Sequence, residues 1–77
     1  MSKAQQLFNQ SFPNDAVKSI KSQAYLSGVL ETLQFKETGA KLKNIYELGT
    51  AESDAWNAGN REGHRLWRDY GSQEVQS

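Results

Sequence analysis

Four side chains that are basic or can become so fall within ESDAWNAGNREGHRLWRDYG, residues 52–71. On a helix advancing ~100° per residue, Arg61, His64, Arg65 and Arg68 share one side, with Asn57 beside them and Asp54 at its start. Such a face can grip the phosphates of RNA or DNA, or an acidic protein surface. It can equally be a solvated face whose arginines complement the helix C-terminus and pair with Asp54, Glu62 or Asp69. His64 is the only histidine. A catalytic base needs a positioned partner, and its neighbours one turn away, Asn60, Arg61, Trp67 and Arg68, offer no carboxylate. No Ser-His-Asp or Cys-His set, no HExxH and no P-loop is present. With no cysteine, disulfides and thiolate sites are excluded, and one histidine is too few for an all-protein zinc site. The chain therefore reads as a non-enzyme without metal or cofactor.

The whole chain sets the frame for that face. Its 77 residues carry nine Lys and Arg against nine Asp and Glu. A neutral balance argues against bulk electrostatic binding to nucleic acid but leaves room for a local basic patch. Apolar runs reach only two or three residues, so no segment reads as membrane-spanning. The start, MSKAQQLFNQ, lacks the apolar core of a signal peptide, which points to the cytoplasm of a bacterial or phage-infected cell. A domain this size buries only ~60% of its unfolded surface. Small chains need a staple, and with disulfides and metal set aside a partner chain remains. A homodimer or a complex is expected.

The elements that must position these residues are helical. Pro13 in SFPND separates two segments, with Asn14 or Asp15 as N-cap for the second. Leu7, Phe8 and Phe12 suit a short helix, so residues 1–12 read as a docking arm. A long helix is expected over about 15–37. Ala16, Ile20 and Ala24 form one row, with Val17 beside it, and Leu26, Val29, Leu30 and Leu33 form a second cluster on another face. Two partners, or a bend near residues 27–28, would account for both faces. Gly39 can close that helix. Leu42, Ile45 and Tyr46 leave residues 40–49 open as a short helix or an ordered loop. Thr50, then Glu52 and Asp54, open a last helix at about 51–70, which Gly71 would stop before a frayed tail at 72–77. The fold class is all-α: one small domain over 1–77, an antiparallel helical hairpin or a three- to four-helix domain, with self-association suggested by the two-sided long helix.

The last helix also carries Gly59 and Gly63 in its interior, in one row with Ala55. Each interior glycine costs roughly 1 kcal/mol relative to alanine. Contact that alanine would block must compensate. The row is a groove flanked by Trp56, Leu66, Trp67 and Tyr70, and Gly28 of the long helix is its natural counterpart. A second helix of the same chain, or another chain, can fill it. A phosphate cradle does not fit, because such loops precede a helix and these glycines lie within one. Trp56 and Trp67 lie on the apolar side and suit core packing; left exposed, they and Tyr25 would anchor a partner.

The stretch AWNAGNREG, residues 55–63, resembles the Ala/aromatic-x-Ala-Gly-x-x-x-Gly pattern of the ribosome modulation factor family, small helical bacterial proteins that bind ribosomes. The wider YELGTAESDAWNAGNREGHRLW, residues 46–67, looks like short phage-encoded proteins of unassigned activity. The resemblance implies a small helical protein that acts by binding. That family is strongly basic and this chain is neutral, so no individual binding residue is carried over. The leading expectation is a phage-derived inhibitor or adaptor of a host protein, with RNA or ribosome binding through the basic face as the alternative.

Overall fold

The computed structural model of the chain describes residues 2–76, and from residue 72 onward its backbone path only. Within this range lie α1 (Lys3–Ser11), α2 (Asp15–Ser19), α3 (Gln23–Thr38) and α4 (Ala51–Gln76), and no strand. Each helix starts where a short polar side chain accepts from an amide that has no intrahelical partner. Ser2 takes Gln5 N–H at 3.1 Å, Asn14 takes Val17 N–H at 2.9 Å, Ser22 takes Tyr25 N–H at 3.1 Å and Thr50 takes Ser53 N–H at 3.1 Å. Gly39 ends α3 in the left-handed region (φ 75°), its N–H donating to Phe35 O at 2.8 Å.

Two boundaries differ from expectation. The long helix is two helices, divided at residues 20–22, because the Ser22 hydroxyl caps a new start instead of pointing to solvent mid-helix. Helix α3 is unbroken through Gly28. Helix α4 passes Gly71 and continues to Gln76. A terminating glycine must turn left-handed, and Gly71 does not. The tail expected to fray at 72–77 is therefore helical along its backbone as far as Gln76; Ser77 and the side chains from residue 72 lie outside the described range. Residues 40–49 contain no helix.

Helix α3 is the centre. One side packs on α4 and another on α1. Of the expected row Ala16, Ile20 and Ala24, only Ala24 belongs to α3 and is buried; Ala16 and Ile20 precede it and are exposed. Ala4 and Phe8 of α1, and Phe12 just beyond its end, join Val29 and Leu33 of α3 in the buried core, with Leu7, Val17, Leu26, Leu30, Leu66 and Trp67 around them. Phe12 stacks tilted on Phe8 (5.1 Å) and edge-on to Tyr25 (6.3 Å). At the other end of α1, the Glu37 carboxylate accepts from the main-chain amides of Lys3 (3.1 Å) and Ala4 (3.0 Å). Pairing of 12 with 25 and of 4 with 37 makes α1 antiparallel to α3.

Helices α3 and α4, in contrast, run parallel, which corrects the expected antiparallel pair. Gly59 abuts Tyr25 and Val29, Gly63 abuts Val29 and Thr32, and Lys3, tethered beside Glu37, lies over the Tyr70 ring. Sequence numbers rise together along both helices. A parallel neighbour requires the chain to return along the 16 residues of α3, about 24 Å. The segment 39–50 can span up to about 40 Å when extended, enough for that return. Asn44 fastens it to α4, donating to Ser53 Oγ (3.1 Å) and Asn57 Oδ1 (3.2 Å). Among the described residues, no helix is long and apolar enough to cross a membrane.

Candidate functional site

The glycine row lies inside the chain. A Cβ on Gly59 would strike the carbonyl oxygen of Tyr25, and one on Gly28 the carbonyl oxygen of Trp56. A Cβ on Gly63 would lie 2.9 Å from Val29 O and 2.8 Å from Thr32 Cβ. Helix α3 fills the groove, so no second chain can enter it. The small residues let the two backbones touch, and polar side chains then span the seam: Asn60 donates to the buried Thr32 hydroxyl at 2.7 Å. Ala55 is half-buried at the margin, facing a cleft with Ala24. Trp56, 4% exposed, is withdrawn from the surface and cannot serve as a partner anchor in this state. Trp67 and Tyr25 are half-buried; Trp67 stacks on Tyr70 (5.8 Å), and Tyr25 lies beneath the Lys21 ammonium (5.3 Å). Burial first, then the Glu62 charge, raises the Tyr25 hydroxyl above its usual range.

The face of α4 that reads as basic is electrically balanced. Arg65 is engaged by two carboxylates of its own helix. Its Nε and one terminal nitrogen donate to Glu62 (2.8 and 2.6 Å), and the other terminal nitrogen donates to Asp69 (2.8 Å). The hydrogen bond from Arg65 holds the Glu62 carboxyl below its usual range, and the same contact raises the Arg65 guanidinium further. Counting Asp54, Glu62 and Asp69 against Arg61, Arg65 and Arg68 gives three charges of each sign. Arg61 and Arg68 are exposed and, among the described residues, form no ion pair. His64 is half-buried. The Asn57 amide oxygen is occupied by Asn44. Among the described residues, no group of three or more His, Cys, Asp or Glu could hold a metal ion.

A different surface was not singled out from the sequence. Ile20 (77% exposed), Ile45 (77%) and Leu48 (91%) project outward. All three lie in the connections that lead into α3 and α4. One cleft, about 470 Å³, has an apolar floor of Phe8, Leu26 and Leu30, with Asp15, Lys18 and Lys21 at its sides. Ile20 sits between Ser19 and Lys21, which line it. The second cleft, about 380 Å³, lies between the first turns of α3 and α4 under Tyr46, the neighbour of Ile45. Gln23 lines both clefts. The available signal was that Ile20, Ile45 and Leu48 fit no apolar row once residues 20–22 and 40–49 are non-helical; helical periodicity placed Ile20 in a row with Ala24 instead.

Fold and surface define a small all-α domain whose described residues form four helices, with three exposed apolar side chains in its connections and a balanced polar face. No family model, curated protein or solved structure matches the chain.

Proposed function

We propose that the chain is a small non-catalytic binding protein, of the kind phages encode as inhibitors or adaptors of a host protein, working in the cytoplasm. The observation that carries this reading is the exposure of Ile20, Ile45 and Leu48, all in the connections that lead into α3 and α4. A single exposed apolar residue is ordinary; three in these two connections, each exposed by more than three quarters, mark a surface kept for a partner. A homodimer could use these same residues, since α3 already packs on α1 and α4 within the chain. A sedimentation mass of one chain at micromolar concentration would remove the dimer.

The direct experiment is capture from bacterial lysate with the full chain, with and without nuclease. One protein recovered under both conditions, and lost on the triple change Ile20→Ser, Ile45→Ser, Leu48→Ser, supports the reading. Equal capture by the triple variant sinks it.

RNA or ribosome binding is the second reading, favoured by Arg61 and Arg68, which form no ion pair among the described residues, and by the resemblance of residues 55–63 to ribosome modulation factors. The three negative charges on the same face weigh against it. Phosphate contacts strengthen as salt is lowered, so undetectable affinity for RNA at 20 mM salt, that is about 20 mM monovalent ions, ends this alternative.

A further inference from the structure

The Trp56 indole is almost fully buried, and its Nε1–H has no hydrogen-bond partner among the described residues. A buried donor left unpaired costs free energy, so its surroundings call for an explanation. Trp56 stands apart from the buried cluster that α1 and α3 form around Phe8 and Leu33. On α4, Ser53, Trp56, Asn57 and Asn60 follow the i, i+3, i+4, i+7 spacing of one helix side. Helix α3 adjoins that side on one flank: Gly28 abuts the Trp56 carbonyl, and Asn60 donates to Thr32. The return segment adjoins it on the other, where Asn44 donates to Ser53 Oγ and Asn57 Oδ1.

That segment is fixed at its ends and held at one point between them. Gly39 N–H donates to Phe35 O (2.8 Å) and Thr50 N–H to Glu47 O (3.3 Å). Gly39 and Gly49 both take positive φ, 75° and 85°. Over residues 41–46, every hydrogen bond among the described residues involves the Asn44 side chain. Lys41 and Lys43 form no ion pair there, and Ile45 points to solvent.

We propose that residues 40–46 are a strap over the Trp56 indole, latched by Asn44, which opens while α3 and α4 stay packed. Opening admits water to Nε1 and returns the hydrogen bond that closure withholds, so the unpaired donor favours the open form. The backbone contacts at Gly28, Gly59 and Gly63 do not involve the strap and persist when it lifts. Segments tied by few hydrogen bonds are the ones that open locally, ahead of the whole domain. The open form presents a large aromatic face that the closed form hides. This device is intramolecular and stands independently of the binding-protein reading.

The test is hydrogen exchange of the Trp56 indole N–H, followed by NMR on the full chain beside the amides of Val29 and Thr32 at the α3–α4 seam. The indole proton should exchange faster than the seam amides and respond little to low urea, because a local opening exposes little surface. Asn44→Ala should quicken it about fivefold or more, the worth of one lost hydrogen bond. Asn44→Asp keeps the bond from Tyr46 N–H and loses the donation to Ser53 and Asn57, and it should do the same where the alanine variant does not fold. Glu37→Ala, which loosens α1 and not the strap, should leave the indole rate unchanged. Indole exchange that follows the seam amides in urea, or that Glu37→Ala quickens as much as Asn44→Ala, overturns the strap, since the indole would then be reached by unfolding alone. An indole rate unmoved by both Asn44 variants overturns it too, because the segment would not cover the ring.

Discussion

Gly28 faces the main-chain carbonyl of Trp56 across the α3–α4 seam with no room for a methyl group between them. The obstacle is backbone, which cannot rotate away. The same holds for Gly59 against Tyr25 O. Alanine at either site should therefore destabilise the domain. Overpacking costs about 1–3 kcal/mol, and the gain in helix propensity returns about 1 kcal/mol. A Cβ on Gly71 meets nothing within 4 Å, so Gly71→Ala should stabilise slightly. Urea denaturation of the three variants checks the ranking. A Gly28→Ala protein as stable as the parent would mean the two backbones do not touch.

The tether at the start of α1 predicts local release. Glu37 reaches from the last turn of α3 to the amides of Lys3 and Ala4, where its charge also suits the positive end of the α1 dipole. Glu37→Ala should cost about 0.5–2 kcal/mol, as loss of a capping group does. Hydrogen exchange should quicken at α1 amides and much less at the α3–α4 seam. Uniform acceleration across all helices would show that α1 does not open separately.

How much of this could be read from residue types varies by element. The last helix and its glycine row were legible because 3.6-residue periodicity and glycine cost are local properties. Of the two faces of the long helix, the cluster Leu26, Val29, Leu30 and Leu33 was legible, whereas the row Ala16, Ile20 and Ala24 held only at Ala24, because the helix breaks after residue 19. Direction was not legible: Gly28, Gly59 and Gly63 mesh in either sense, and only the return path of residues 39–50 makes the pair parallel. The break at residues 20–22 was hidden because Ser22 is tolerated inside a helix as well as before one. The balance of the α4 face was half visible. Glu62 and Asp69 were candidate partners, yet only geometry joins both to Arg65 and leaves Arg61 and Arg68 apart.

The return segment offers a second stability test. Asn44 donates to Ser53, whose hydroxyl is almost fully buried, and to Asn57, while its own oxygen accepts from Tyr46 N–H at 2.9 Å. Asn44→Ala leaves the Ser53 oxygen short of a donor, at a cost of about 1–3 kcal/mol. Because the loop is then pinned less firmly, limited proteolysis should cut first after Lys41 or Lys43. Cleavage at unchanged rate would show that the loop is held by other contacts.

The Arg65–Glu62–Asp69 array predicts a pH dependence with a defined sign. The Glu62 carboxyl is lowered from 4.5, chiefly by the hydrogen bond from Arg65 and then by its charge, with burial opposing. A depressed carboxyl stabilises the fold fully above its unfolded value and loses that contribution as pH falls through the folded value. The contribution is therefore present at neutral pH, begins to fade near pH 4.5, the unfolded value, and is lost as pH falls through the lower folded value. Because Arg65 is well exposed, the effect is modest and salt-sensitive. Melting temperature should drop on acidification more steeply in the parent than in Glu62→Gln, with the difference shrinking at high salt. Parallel acid profiles for the two proteins would mean that Arg65 and Glu62 do not hold their bidentate contact in solution.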